Sequence, residues 1–283
     1  MAGNGSAASA SRRGLVAVAA VVIVVAAVIG VFFATRSSGS PAPTGSSSQI
    51  GAAVPADVLH AVTSVSASTL ASVGVNSSVV GKPQATTGGT PLVSGGKPEV
   101  FYLGADFCPY CAAERWALVV ALSRFGTFSN LHLMMSSSTD IYPNTNTFTF
   151  YKSSYSSKYL EFVPVEFQTR THAPLQSPTA AEQKLVSAYD APPYVPSATD
   201  SGSIPFVDLG NRYVIDGASY SPQLLSGLNW QTIAGTLNDP SAATAQAIDG
   251  TANEITAAVC TLTKNQPGSV CATPLISSLQ KSL

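Results

Sequence analysis

Two cysteines stand between a strand-like run and the start of a helical period, and no other feature of the chain restricts its fold as much. Glu99-Val100-Phe101-Tyr102-Leu103-Gly104 is short, aromatic and β-branched, the composition of a buried strand. Cys108-Pro109-Tyr110-Cys111 follows at once. From Ala112 the apolar residues Ala112, Trp116, Val119, Val120 and Phe125 recur with a helical period. Leu131 to Met135 is a second strand-like run. The order strand, CxxC turn, helix, strand reads as a βαβ unit with a dithiol at the N-terminus of its helix.

Two thiols in this spacing close a small disulfide ring with little motion. The first turn of a helix offers unpaired backbone N–H groups and the positive end of the dipole, which stabilise a thiolate. Such sites lower a cysteine pKa from about 8.5 to roughly 3.5–7.5. Cys108, the first and more exposed, is the expected attacking thiolate, and Cys111, one turn inside, the resolving thiol. Pro109 rigidifies the turn, and Tyr110 places a ring and a hydroxyl near the sulfurs. Arg115 lies on the helix face of Cys111. It either favours the thiolate or pairs with a carboxylate at the surface, and the second is the simpler reading. A four-ligand zinc site needs more than one CxxC, and His60, His132 and His172 are scattered, so no metal is expected. A Cu(I) ion held by the two thiolates alone stays open as the alternative chemistry.

The N-terminal part reads as an address. Leu15 to Phe33 is an uncharged apolar run of 19 residues, about 28 Å as a helix, close to the ~30 Å bilayer core. It is longer than the apolar core of a signal peptide, and Phe32 fits a cleavage site poorly, so an uncleaved anchor is favoured. Arg12 and Arg13 before the run, against Arg36 after it, put the N-terminus in the cytoplasm. The expected organisation is a cytoplasmic N-terminus (1–14), a transmembrane anchor (15–34), a flexible Ser/Pro/Gly-rich linker (35–54) and an extracytoplasmic domain (55–283). The 14 Lys+Arg against 15 Asp+Glu give a net charge of −1, which argues against a nucleic-acid partner. Only 10% of residues are charged, against roughly 25% in an average soluble domain. The polar surface is therefore built from Ser, Thr, Asn and Gln, as is common outside the cytoplasm.

Within the domain, a helix is expected over 55–73, stopped by Gly74, then a loop over 81–97. Thr147 to Tyr151 and Leu160 to Phe167 read as strands and Ala180 to Tyr189 as a helix. Ile204-Pro205-Phe206-Val207-Asp208 and Tyr213-Val214-Ile215 read as a hairpin turning at Gly210-Asn211. Ala242 to Leu262 is a long helix, and a short one runs from Pro274 to Leu283. The aromatic residues from Phe148 to Phe167 belong in the core, with a substrate groove as the alternative. Cys260 and Cys271 read as a structural disulfide outside the cytoplasm, a second redox pair being the other possibility. Asn76-Ser77-Ser78 matches a glycosylation sequon, a frequent coincidence.

The strand followed by Phe107-Cys108-Pro109-Tyr110-Cys111 and a helix resembles the thioredoxin superfamily, and Ile204-Pro205 before a late hairpin adds to the likeness. The segments GKPEVFYLGADFCPYCAAERWALVVALSRFGTF, FTFYKSSYSSKYLEFVPVE and SIPFVDLGNRYVIDGASY resemble, more closely, family 929 of the domains of unknown function, over about residues 96–271. The resemblance implies a thioredoxin-like α/β fold with insertions and thiol–disulfide activity. It also implies that Ile204–Pro205 is cis and faces the dithiol. An edge proline exposes the preceding carbonyl and N–H, so the backbone at Ile204 and Pro205, with Tyr110, is the expected place for an extended substrate segment; an ordinary trans edge proline is the alternative. Thioredoxins carry a buried carboxylate where this chain has Tyr102, so the proton-shuttle role has no matching residue; Glu99 and Asp106 lie nearby. The function expected is a membrane-anchored thiol–disulfide oxidoreductase without cofactor, acting on protein thiols and disulfides with a membrane or extracytoplasmic redox partner. A non-enzymatic module that handles Cu(I) or docks a partner is the competing class.

Overall fold

A computed structural model describes residues 45–283. The expected anchor at 15–34 and most of the linker lie outside these residues; among the described residues no helix is long and apolar enough to cross a membrane. The strands are β1 (Gln84–Ala85), β2 (Val93–Ser94), β3 (Lys97–Gly104), β4 (Gly126–Ser129), β5 (His132–Met135), β6 (Asn146–Thr149), β7 (Ser154–Ser157), β8 (Glu161–Glu166), β9 (Phe206–Leu209) and β10 (Tyr213–Asp216). The helices are α1 (Ala56–Thr63), α2 (Ala67–Val73), α3 (Pro109–Ser123), α4 (Ala180–Tyr189), α5 (Trp230–Thr236), α6 (Ala243–Leu262), α7 (Gly268–Cys271) and α8 (Pro274–Leu279).

The central sheet is mixed and built around β3. That strand pairs in parallel with β8, from Glu99↔Glu161 to Gly104↔Glu166, and antiparallel with β9, from Val100↔Leu209 to Leu103↔Phe206. β10 pairs β9, and β1 pairs β10. Side chains alternate along the strands. Val100, Tyr102, Val207 and Leu209 join the large core that contains α3 and α6, whereas Phe101, Leu103, Phe206 and Val214 form a second cluster with Leu185, Val186 and Tyr189 of α4. Helices therefore cover both faces. The β9–β10 turn is at Gly210-Asn211 as expected, with φ of 67° and 55°, the left-handed pair that hairpin turns require.

α3 is apolar nearly all round and is buried from Cys111 to Leu122, the signature of a helix packed on every side. The segment between α3 and β8 supplies much of that packing. β4 pairs β7 and β5 pairs β6 in two small sheets. Trp116 Nε1 donates to Asn146 O at 2.9 Å and Thr147 Oγ1 to Ala112 O at 2.8 Å. The aromatic run is core: Phe150 and Phe162 meet at 5.0 Å, and Phe128 lies within 6 Å of both, at 5.9 and 5.8 Å.

Four expectations are corrected. The strand that completes the βαβ unit is β8; Leu131–Met135 pairs with β6 instead. The helix over 55–73 is two, because Ser66 Oγ accepts from Thr69 N at 3.0 Å and starts α2 afresh. The loop over 81–97 contains β1 and β2. The end of the linker is bonded to the domain: Gly51 N donates to Leu133 O at 2.8 Å and Val54 N to Leu131 O at 3.1 Å. Here Val54 is buried and Ile50 packs on the core, so two apolar side chains outweigh a polar local composition.

Cys260 and Cys271 are disulfide-bonded and tie the end of α6 to α7. Closing a short loop is worth about 3 kcal/mol in the chain-entropy model. The double Cys260→Ala, Cys271→Ala variant is expected to lose about that much in urea unfolding. An unchanged midpoint would refute a stabilising role.

Asp249 lies inside α6, fully buried, with neither carboxylate oxygen bonded to a protein donor among the described residues. Burial pushes its pKa up to about 8. In the folded protein it stays neutral up to about pH 8, so its contribution to stability is full below about pH 4 and is lost progressively as pH rises through 8. The melting midpoint should therefore be higher at pH 5 than at pH 8.5. Asp249→Asn should raise it by about 10 °C at pH 8.5 and make the profile shallower. An Asn variant with the wild-type slope would contradict this assignment.

Candidate active site

β3 ends at Gly104, and the chain turns through Ala105 to Phe107 into α3, so strand and helix together aim the dithiol. Cys108 is the N-cap, with extended backbone, and Pro109 occupies the first helical position. Proline suits that position because its missing N–H would have had no helical partner. Cys108 Sγ accepts from Cys111 N at 3.2 Å. Both cysteines are free thiols.

The two sulfurs differ electrostatically. The Cys111 thiol and backbone N–H donate to the Cys108 sulfur and hold its pKa below the usual thiol value despite burial; the Arg115 charge acts in the same sense. Desolvation by complete burial, followed by the hydrogen bond its thiol gives to Cys108 and then by the Cys108 charge, pushes Cys111 well above that value. Of the two, Cys108 is therefore the readier to lose its proton and Cys111 the readier to keep it. Cys108 is 4% exposed and Cys111 0%. The order is as expected, but Cys108 is much more covered than a helix N-terminus alone suggests.

The groups around the dithiol come from distant parts of the chain. Phe107 stacks on His172 at 4.1 Å, and Tyr110, 38% exposed, meets Tyr142 edge-on at 5.9 Å. Ser137 N donates to Phe107 O at 2.7 Å and fastens the loop that carries Ile141 and Tyr142 beside the dithiol. Arg170 braces that loop through Ser136 O at 2.9 Å and Asn144 Oδ1 at 2.5 Å. On the far side the Ile204–Pro205 bond is cis, and Ile204 O lies 3.7 Å from Cys108 Sγ. The structure therefore brings Cys108, Cys111, Tyr110, Ile204 and Pro205 to one place, while Cys260 and Cys271 belong to the α6–α7 junction.

Arg115 is not at the surface. It is fully buried, with Nε donating to Glu166 Oε1 at 2.8 Å and Nη2 to Glu166 Oε2 at 2.6 Å. Nη2 also reaches Ala105 O at 2.8 Å, and Asp106 Oδ1 stands 3.8 Å away. Burial pushes Asp106 up to about 6 against the opposing pull of Arg115. Tyr102 is buried beside this group, and its hydroxyl has no hydrogen-bond partner among the described residues. Its ring occupies the space a side chain at Gly104 would need. Glu99 lies away from this group, between the charges of Glu161 and Glu182. Of the two carboxylates beside Arg115, Asp106 is named from the sequence as a nearby acid, whereas Glu166 is the site residue that local sequence does not single out. The available signal was one acidic residue ending the apolar run Phe162-Val163-Pro164-Val165. Glu114, also on α3, is buried and accepts from Ser219 N at 2.8 Å, which fixes the loop after β10 against α3.

Fold and site together define a mixed α/β domain with a dithiol at the N-terminus of a buried helix, backed by an internal ion pair. The chain belongs to the family described as domain of unknown function DUF929, whose model matches residues 84–261. That match spans β1 to α6 and includes the dithiol, Arg115, Glu166 and Ile204–Pro205. No curated protein and no solved structure matches the chain.

Proposed function

We propose that the domain is thioredoxin-like and that the protein is a thiol–disulfide oxidoreductase acting on protein substrates, held at a membrane by residues 15–34 with the domain outside the cytoplasm. One observation carries the reading: the Cys108 sulfur sits between the first N–H groups of α3 and the Ile204 carbonyl, next to a Cys111 sulfur whose burial favours its protonated form. The Cys108 thiolate attacks one sulfur of a substrate disulfide. A mixed disulfide forms, and the other substrate sulfur leaves as a thiolate that takes a proton. Cys111 then loses its proton, attacks Cys108 Sγ and expels the second substrate sulfur. The substrate gains two electrons and two protons, and Cys108–Cys111 becomes a disulfide. In the opposite direction the same steps oxidise a dithiol.

During the first step Cys108 has no proton to give to Ile204 O, and that carbonyl is free for a backbone N–H of an extended substrate. Tyr110 and Tyr142 offer the apolar wall beside it. The Cu(I) alternative needs two thiolates, and burial of Cys111 opposes the second ionisation. The full chain, with dithiothreitol as reductant, is expected to accelerate insulin reduction. A rate equal to that of dithiothreitol alone, with metal bound stoichiometrically by the reduced protein, would replace this reading with the metal-handling one.

A further inference from the structure

At the other end of α3, about 22 Å from the dithiol by helical rise, Arg124 lines a cavity of about 320 Å³. The volume lies at the low end of the roughly 300–1,000 Å³ typical of small-molecule sites. Its walls are Ala67, Leu70 and Ala71 of α2, and Pro274, Leu275 and Ile276 of α8. Leu70 and Ile276 are buried at its base.

Arg124 has no anionic partner. All 15 acidic residues of the chain lie among the described residues. The ion pairs there are Lys97–Glu161, Arg115–Asp106 and Arg115–Glu166. Arg124 Nη1 meets only neutral oxygens, Thr256 Oγ1 at 3.1 Å and Asn253 Oδ1 at 3.4 Å, and among the described residues Nε and Nη2 have no acceptor. Desolvation lowers its pKa to about 10, so it remains a cation at neutral pH. A half-buried, unpaired cation is unfavourable unless an anion completes it.

We propose that this cavity binds a small organic carboxylate with an apolar body, the carboxylate on the Arg124 guanidinium and the hydrocarbon between Leu70, Ala71, Leu275 and Ile276. The planar guanidinium fork matches a carboxylate in two-point contact. One guanidinium balances one negative charge, and inorganic phosphate would leave the apolar walls unused.

The test is calorimetry on the full chain in lipid nanodiscs with 3-phenylpropanoate, the neutral 3-phenylpropan-1-ol and inorganic phosphate. The carboxylate is expected to bind at least tenfold tighter than either of the others. Arg124→Gln should abolish that preference while leaving the melting midpoint unchanged or higher, because no ion pair is broken. Leu275→Trp, which fills the cavity and keeps the charge, should bind neither organic probe. Equal binding of acid and alcohol, tighter binding of phosphate, no binding by wild type, or wild-type binding by Leu275→Trp would each overturn the proposal.

Discussion

Cys108→Ser is expected to reduce the rate of insulin reduction by roughly a hundredfold or more, to the level of the added dithiol, because the variant lacks the only sulfur poised to attack. Cys111→Ser should behave differently. Its first attack survives, since the serine hydroxyl can donate to Cys108 in place of the lost thiol while the N–H of residue 111 and the Arg115 charge remain. The resolving sulfur is gone, so the reaction stops at a mixed disulfide that accumulates on Cys108. Non-reducing electrophoresis after acid quenching separates the two variants: adducts on Cys111→Ser and none on Cys108→Ser. Adducts of equal yield on both, or activity retained by Cys108→Ser, would show that the assignment of attacker and resolver is wrong. Identifying the trapped proteins would also name the physiological substrates.

The second large effect concerns Arg115. Arg115→Met leaves Glu166 as an unpaired carboxylate in a fully buried position, a change that costs about 3–5 kcal/mol for buried pairs. It also removes a positive charge that favours the Cys108 thiolate, so the Cys108 pKa should rise and its reactivity at pH 6 should fall. The double variant Arg115→Met, Glu166→Leu separates the two consequences. Replacing both partners with apolar groups is expected to restore most of the stability in urea unfolding. It should not restore the low-pH reactivity of Cys108, because the charge is still missing. Recovery of both would make the pair purely structural; recovery of neither would mean that the strand β8 and helix α3 depend on the pair for their packing.

The parts of the fold that were legible in the sequence are those with local causes. β3 and α3 follow from a β-branched run, a capping cysteine and a proline at the first helical position. The β9–β10 turn follows from Gly210-Asn211, whose backbone geometry few other residue pairs tolerate. The bounds of α4 coincide with the expected helix over 180–189, where Thr179 and Glu182 form a reciprocal cap. What local sequence did not reveal depends on distant partners. Leu131–Met135 and Glu161–Glu166 have equal claims as strands, and only tertiary packing selects the second to lie beside β3. Local sequence leaves Arg115 open between favouring the thiolate and pairing at the surface, because its carboxylate partner is 51 positions away in sequence. The burial of Cys108 has the same origin. Phe107 is covered by His172, and Tyr142 comes from a loop that Arg170 braces, none of which the CxxC spacing encodes.

The account rests on unequal sharing of one proton by two adjacent sulfurs, and thiolate absorbance near 240 nm measures it directly. Reduced Cys111→Ser, which reports Cys108, is titrated from pH 3 to 10 alongside reduced Cys108→Ser, which reports Cys111, with the unfolded chain as reference. The expected result is a Cys108 thiolate that forms well below the ~8.5 of an ordinary cysteine, and a Cys111 thiolate that does not form by pH 9. Two titrations that coincide with the unfolded chain, or a lower pKa for Cys111 than for Cys108, would contradict it.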